Sequence, residues 1–91
     1  MAQLEVDLVD ADGKVWSGAA RQVSVPAAEG EIGILPGHTP VLALLRAGEV
    51  RVHPGEGSPV MRWRVDGGFL SVDSDQVTVA VDAARAVTDQ G

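Results

Sequence analysis

Apolar and polar residues alternate along most of the chain. In the first such segment, residues 4–8, acidic residues separate three apolar ones. A period of two is typical of a β-strand that buries one face and exposes the other. The alternation recurs at residues 22–25, 50–53, 61–65 and 77–82. The pattern therefore predicts several short strands, each with one solvated face.

Turn-forming sequences separate these segments at short intervals. They are Asp10–Gly13, Pro54–Gly57, Gly67–Gly68 and Asp73–Asp75. Clusters of Gly, Pro, Asp and Ser favour tight turns, and the 15 Val residues of the chain suit a pleated, half-buried surface. Many short strands joined by frequent turns indicate an all-β fold, an antiparallel β-sandwich or flattened barrel.

Two segments lack the alternation of apolar and polar residues. Residues 26–40 contain three Gly and three Pro, with few apolar residues between them, which predicts a loop-rich excursion around a short strand. The tail, residues 82–91, is rich in Ala, and we expect at most about two turns of fraying helix there, because isolated short helices are marginal in water.

Composition narrows the class of protein. A chain of 91 residues forms one small domain, and the absence of Cys excludes disulfides and Cys-ligated metals. With 13 acidic against seven basic residues, a net charge of −6 and only three aromatic residues, nucleic-acid binding is not expected.

Membrane insertion and export are not expected either. The longest apolar run, residues 41–45, is far shorter than the roughly 20 residues that a spanning helix needs. The first 12 residues carry Glu5, Asp7 and Asp10 and lack the basic start and apolar centre of a signal peptide. The expectation is a mature cytoplasmic protein.

Candidate catalytic chemistry is confined to two histidines. His38 and His53 lie fifteen positions apart, without the local spacing of metal ligands and without a nucleophile-elbow motif. The sequence therefore predicts no catalytic residue, metal or cofactor. An alternative interpretation is a small metal-dependent β-barrel enzyme that uses both histidines with Glu31 or Glu49.

The segment 29–40 has the character of a recognition loop, since it places acids, apolar residues and one His on a backbone stiffened by Gly and Pro. Its sequence, Glu-Gly-Glu-Ile-Gly-Ile-Leu-Pro-Gly-His-Thr-Pro, resembles the signature of the epsilon subunits of bacterial F-type ATP synthases. Residues 6–9 and 16–18 resemble the opening hairpin of that family, and residues 65–72 and 77–79 its closing strands. The resemblance covers roughly residues 4 to 83 in the same order.

The resemblance implies a β-sandwich of about ten strands over residues 1–83 and a short, mobile tail over 84–91. It also implies a non-catalytic rotor component at the foot of the central stalk. This component joins the gamma subunit to the c-ring and couples proton-driven rotation to ATP synthesis. The protein would lie at the cytoplasmic face of the cell membrane, peripherally, through the ATP synthase complex.

The resemblance further assigns the c-ring and gamma interface to the loop. Glu31 would pair with basic groups of the c-ring, Ile32 and Leu35 would fill shallow apolar hollows, and His38 would lie near the junction with gamma. The full set of implied interface residues is Glu29, Glu31, Ile32, Gly33, Leu35, Pro36, Gly37 and His38.

One departure from the family concerns the C-terminus. Typical members continue into a pair of helices that can inhibit ATP hydrolysis, and some bind ATP there. The segment 81–86 fits the letters of that ATP motif, but it follows directly on the last predicted strand. ATP binding is therefore not expected, and a nucleotide sensor that uses Asp82 and Arg85 remains the second alternative. If Gly91 is the natural end, the protein would couple rotation without inhibiting hydrolysis.

Overall fold

The structure is a computed structural model that describes residues 2–87. Ten strands and no helix occur within this range, which confirms the all-β prediction. None of these residues therefore belongs to a helix of the length and hydropathy needed to cross a membrane. The strands are β1 (Leu4–Asp10), β2 (Gly13–Ala20), β3 (Gln22–Ala27), β4 (Gly30–Ile34), β5 (Val41–Leu45), β6 (Gly48–His53), β7 (Met61–Val65), β8 (Gly68–Asp73), β9 (Gln76–Val81) and β10 (Ala84–Ala86).

The strands form one sheet in the order β10-β7-β6-β3-β5-β8-β9-β1-β2, with β4 paired to β3. All of these pairs are antiparallel except β1 with β9, which run parallel. The parallel pair places β1 between β2 and β9, so that the first strand of the chain lies in the interior of the sheet. A strand near the start of the chain thus pairs with a strand near its end.

The sheet folds into two layers where β3 meets β5. Only one residue pair, Ala27 with Leu45, joins these strands. Close by, the Arg46 N–H donates to the Pro26 carbonyl at 2.9 Å. At Gly48, where β6 begins, a Cβ atom would lie 2.7 Å from the Pro26 side chain, so that only glycine permits this close approach. The result is the predicted sandwich, nearly closed into a barrel.

The core consists of the apolar residues that each strand turns inward. The largest fully buried side chains include Leu4 and Leu8 on β1, Ile34 on β4 and Leu70 on β8, which come from both layers and form a single cluster. Because burial of apolar area is the main favourable term in folding, this cluster supplies most of the stability. The alternation seen in the sequence is confirmed in the burial of β1, β7 and β9.

Over the residues that the structure describes, the C-terminal segment forms a strand, where the sequence allowed at most a short helical turn. Ala84–Ala86 forms β10 and pairs antiparallel with β7, and the Val87 N–H donates to the Arg62 carbonyl at 2.9 Å. The sheet therefore extends past the predicted boundary at residue 83. Pairing covers the edge of β7 that would otherwise present unbonded backbone groups, and Ala84 packs against the core. Residues 88–91 lie outside the described range.

Candidate interaction site

The candidate loop begins as a tight hairpin between β3 and β4. Ala27 pairs with Gly30, and Gly30 has a φ of 137°, a conformation that favours glycine. Glu29 and Glu31 are exposed on this hairpin. Gly33 is exposed further along β4, opposite Ser24 of β3. The predicted short strand within the segment 26–40 is thus β4, and it carries Glu31, Ile32 and Gly33.

Arg51 holds the Glu31 side chain from the neighbouring part of the sheet. Arg51 of β6 lies opposite Ser24 of β3, and its Nη1 is 3.5 Å from Oε2 of Glu31. Its Nε–H donates to Oε1 of Glu49 at 2.9 Å. The hydrogen bond to Glu49, together with the charge of Glu31, raises the pKa of the Arg51 guanidinium above its ordinary value. Arg51 thus places a permanent positive charge beside the exposed Glu31 carboxylate.

Asp75 holds the other half of the loop. Its Oδ1 accepts a hydrogen bond from the Gly37 N–H at 2.7 Å, across 38 positions of sequence. Gly37 has a φ of 86°, and the His38 N–H closes a turn by donating to the Leu35 carbonyl at 3.1 Å. The backbone carbonyl of Asp75 also accepts from the Glu5 N–H at 2.9 Å. The turn between β8 and β9 therefore connects the loop to β1.

The apolar side chains of the loop differ in exposure. Leu35 is 56% exposed, whereas Ile32 pairs with Val25 and packs against the core, half-buried. The two were expected to project alike, but the alternation of β4 turns Ile32 inward. Leu35, which follows the strand, is the apolar side chain of this pair that a partner can reach.

His38 is positioned by a local contact. Its Nδ1 lies 2.7 Å from the Thr39 carbonyl oxygen. A carbonyl oxygen only accepts hydrogen bonds, so the bond forms when Nδ1 carries the proton. This contact leaves Nε2 as the ring nitrogen that is available to other groups.

Five of the eight candidate residues line two grooves. Leu35 and Pro36 line a groove of about 580 Å³ with Arg21 and His53. A second groove, of about 590 Å³, is lined by residues 27–32 of the hairpin, which include Glu29, Glu31 and Ile32, and by residues 41–44 of β5. The hairpin and the loop after it therefore present two separate surfaces.

An apolar patch that the sequence analysis did not identify lies beside the second groove. It consists of Leu42 and Leu44 of β5, 75% and 71% exposed, and Phe69 of β8, 46% exposed. Leu44 and Phe69 are directly opposite each other, and with Ala43 the patch lines a hollow of about 310 Å³. Contiguous exposed apolar surface of this kind marks an interaction site.

The alternation within β5 could have revealed the patch. Five successive apolar residues, 41–45, hide a period of two in which Leu45 is buried and Leu42 and Leu44 point outward. Likewise, Phe69 precedes the buried Leu70 and must face the opposite side of β8.

No observation favours the metal-enzyme alternative. Within residues 2–87 no group of three or more His, Asp or Glu is placed to hold a metal ion. The groove lined by His53 does not include His38 among its lining residues.

The nucleotide-sensor alternative has no structural support among the described residues. Arg85 lies on β10 opposite Arg64, and the Asp82 N–H donates to the Gly67 carbonyl at 3.3 Å. The segment that resembled an ATP motif is thus a bend followed by an edge strand.

A first prediction concerns the Asp75 contact. The variant Asp75→Gly removes the carboxylate and fits the φ of 63° found at this position. Because a hydrogen bond of this kind contributes about 1 kcal/mol, we expect the Gly37 amide to exchange with D₂O several-fold faster, as measured by NMR. The control, Ser74→Gly, changes the same turn at a φ of 51° without removing the contact. Equal exchange rates in both variants would show that Asp75 does not hold the loop.

The fold and the site together define a class of protein. Residues 2–87 form a compact β-sandwich whose distinctive features are a braced loop and an exposed apolar patch, as in a subunit that docks into a larger assembly. Residues 3–87 match the sequence profile of the ATP synthase, Delta/Epsilon chain, beta-sandwich domain. The chain belongs to this family.

Relatives agree over nearly the whole chain. The chain is 51% identical over 85 residues to the ATP synthase epsilon chain of Micrococcus luteus, covering 93% of this chain and 92% of that protein. It is 43% identical over 90 residues to the ATP synthase epsilon chain of Rhodococcus erythropolis, covering 98% of this chain and 73% of that protein. Such relatives give the chain the role of an epsilon-type subunit of ATP synthase, a structural or regulatory one.

Solved structures show the same architecture. The fold matches a chain of the Euglena gracilis mitochondrial ATP synthase (OSCP/F1/c-ring) with a TM-score of 0.86 and 25% identity, and it spans 94% of this chain and 54% of that one. A chain of the Tetrahymena thermophila mitochondrial ATP synthase central stalk and c-ring matches at a TM-score of 0.75 and 14% identity, over 89% and 64%. The second likeness supports the fold alone. Association with the membrane is peripheral, through the ATP synthase complex.

Proposed function

We propose that this chain is a non-catalytic rotor component of a proton-translocating ATP synthase, which joins the gamma subunit to the c-ring at the cytoplasmic face of the membrane. In this role it transmits ring rotation to the catalytic head without slippage. The observation that carries the proposal is the loop 29–38, braced at Glu31 by Arg51 and at Gly37 by Asp75, on a domain of the epsilon family.

The bracing suits a surface that must transmit force. A loop already held in its binding conformation loses less conformational entropy when a partner binds. Glu31 remains 53% exposed while it contacts Arg51, so its carboxylate can also meet a basic group of the c-ring. Leu35, exposed at the end of the loop, can enter an apolar hollow of the same partner.

The apolar patch supplies a second contact, which we assign to gamma. Leu42, Leu44 and Phe69 form a surface beside the groove that the β3–β4 hairpin also lines. A rotor component that joins two subunits needs two neighbouring surfaces. Here the loop surface combines the Glu31 carboxylate with Leu35, whereas the strand surface is apolar throughout, so each fits a different partner.

The loop assignment is tested by the double variant Glu31→Lys with Leu35→Asp. It reverses the loop charge beside Arg51 and places a carboxylate where the apolar side chain is exposed. We expect assembly with the c-ring to weaken roughly tenfold or more. In reconstituted membranes, proton flow should become uncoupled from ATP synthesis.

The control is Asp12→Lys, which repeats the acid-to-lysine reversal of Glu31→Lys at an exposed turn residue between β1 and β2 and changes the net charge by more than the double variant does. This variant should assemble and couple normally. Full coupling by the double variant would contradict the role of the loop. Equal losses in both variants would indicate an effect of net charge.

A further inference from the structure

Four of the six arginines share the outer face of one layer. Arg51 lies on β6, Arg62 and Arg64 on β7, and Arg85 on β10. The residues between them, such as Val50, Trp63 and Val65, are buried, so the alternation of each strand directs these arginines outward. We call Arg51, Arg62, Arg64 and Arg85 the arginine face. It belongs to the layer that does not carry the apolar patch.

The register places these cations in pairs. Arg51 is directly opposite Arg62, and Arg64 is directly opposite Arg85. Side chains directly opposite each other on antiparallel strands have Cβ atoms about 5 Å apart, and like charges in such positions are destabilising. Two adjacent arginine pairs therefore place like charges where opposite charges would stabilise the sheet. Conflicts of this type are typical of functional surfaces.

The carboxylates of this face do not compensate for all four cations. Glu49 is opposite Arg64 in the register, but its carboxylate accepts from Arg51, which also contacts Glu31. Arg64 and Arg85 are exposed and make no ion pair with residues 2–87. Arg64 and Arg85 thus remain as exposed cations without an ion pair to the described residues, although the whole chain carries a net charge of −6.

We propose that the arginine face binds a carboxylate-rich segment of a protein partner, in addition to the contacts of the loop 29–38 and of the apolar patch. The planar guanidinium matches a carboxylate through two parallel N–H···O bonds. A segment that carries Asp or Glu side chains along its length can reach Arg64 and Arg85 together. It thereby relieves the repulsion between these two cations.

The chemistry of the face favours a protein over a lipid surface. Trp63 and Val65, on either side of Arg64, are buried, so no large apolar side chain projects beside Arg64 to enter a bilayer. Arg64 and Arg85 are directly opposite each other at a fixed spacing, which suits carboxylates held at fixed positions along a peptide, whereas the mobile headgroups of a bilayer need no such spacing.

The test uses the full chain and a fluorescein-labelled poly-glutamate peptide as the probe. Saturable binding in an anisotropy titration is expected, and the Nε–Hε resonances of Arg64 and Arg85 should shift with it. The double variant Arg64→Gln/Arg85→Gln should weaken binding by about tenfold or more. The control Arg21→Gln/Arg46→Gln makes the same change of net charge at exposed residues off this face, and its affinity should change less than about twofold.

Other outcomes overturn the proposal. Equal weakening in both double variants would reduce the effect to net charge. Binding to phosphatidylserine-containing vesicles in preference to the peptide, with loss in Arg64→Gln/Arg85→Gln, would identify a membrane surface instead. Absence of arginine shifts at saturating peptide would show that the face is only a solvated surface. Circular dichroism of each variant checks that the sandwich is intact.

Discussion

Replacement of Gly68 by Ala is expected to unfold the domain. Gly68, the first residue of β8, has a φ of 145°. An added Cβ would overlap the Ala80 carbonyl oxygen and lie 2.7 Å from Cα of Val81, both on the adjacent strand β9. Because the obstructing atoms belong to the backbone of a central strand pair, they cannot move without breaking the β8–β9 ladder. We expect a loss of about 4 kcal/mol or more, comparable to the whole stability of a small domain.

Urea denaturation followed by circular dichroism measures this loss. The matched control is Gly13→Ala, since Gly13 has a similar φ of 124° but no atom lies within 4 Å of its added Cβ. The control loses stability only through the unfavourable backbone conformation of Ala at this position, by about 1–2 kcal/mol. If both variants lose the same stability, the close approach of β9 to Gly68 is not what requires glycine there.

The second large effect is expected at the apolar patch. The double variant Leu44→Asp/Phe69→Ser changes two side chains that are directly opposite each other and exposed. If the patch binds gamma, as proposed, the central apolar contact is lost and a charge is buried against the partner. We expect the affinity for isolated gamma to fall about 100-fold, as measured by calorimetry.

Val60→Asp is the control for the patch. Val60 is also an exposed apolar residue, 44% exposed, but it lines the groove of Leu35 and Pro36 on another part of the surface. It should bind gamma with unchanged affinity. Undiminished binding by the patch variant would remove the patch from the gamma interface, and loss in both would point to a nonspecific effect of surface charge.

Much of the fold follows from alternation alone. The period of two predicted half of the strands, because strands such as β1 and β9 bury one face, although β3 is buried on both faces. It could not predict β10, because the three residues Ala84–Ala86 have little strand propensity and form a strand only by covering the edge of β7. The alternation also could not predict the parallel pairing of β1 with β9, since this pairing joins residues about 70 positions apart.

The candidate loop was found from its residues, whereas its supports were not. Arg51 and Asp75 lie far from the loop in sequence, and their contacts with Glu31 and Gly37 depend on how β6 and the β8–β9 turn are placed. No local periodicity contains that information. The different exposures of Ile32 and Leu35, in contrast, could have been predicted from the sequence. The alternation of β4 turns Ile32 and Ile34 to the same side, so that Leu35, the next residue, faces the opposite side.

Both tryptophans of the chain lie where the two layers close. The ring of Trp16 on β2 is 6.1 Å from that of Trp63 on β7, tilted by 44°, although these strands lie near opposite ends of the strand order. Since the chain contains no Tyr, its near-ultraviolet fluorescence arises almost entirely from these two indole rings. Tryptophan fluorescence therefore reports, without an added label, whether the two layers separate at the contact between Trp16 and Trp63 when a partner binds.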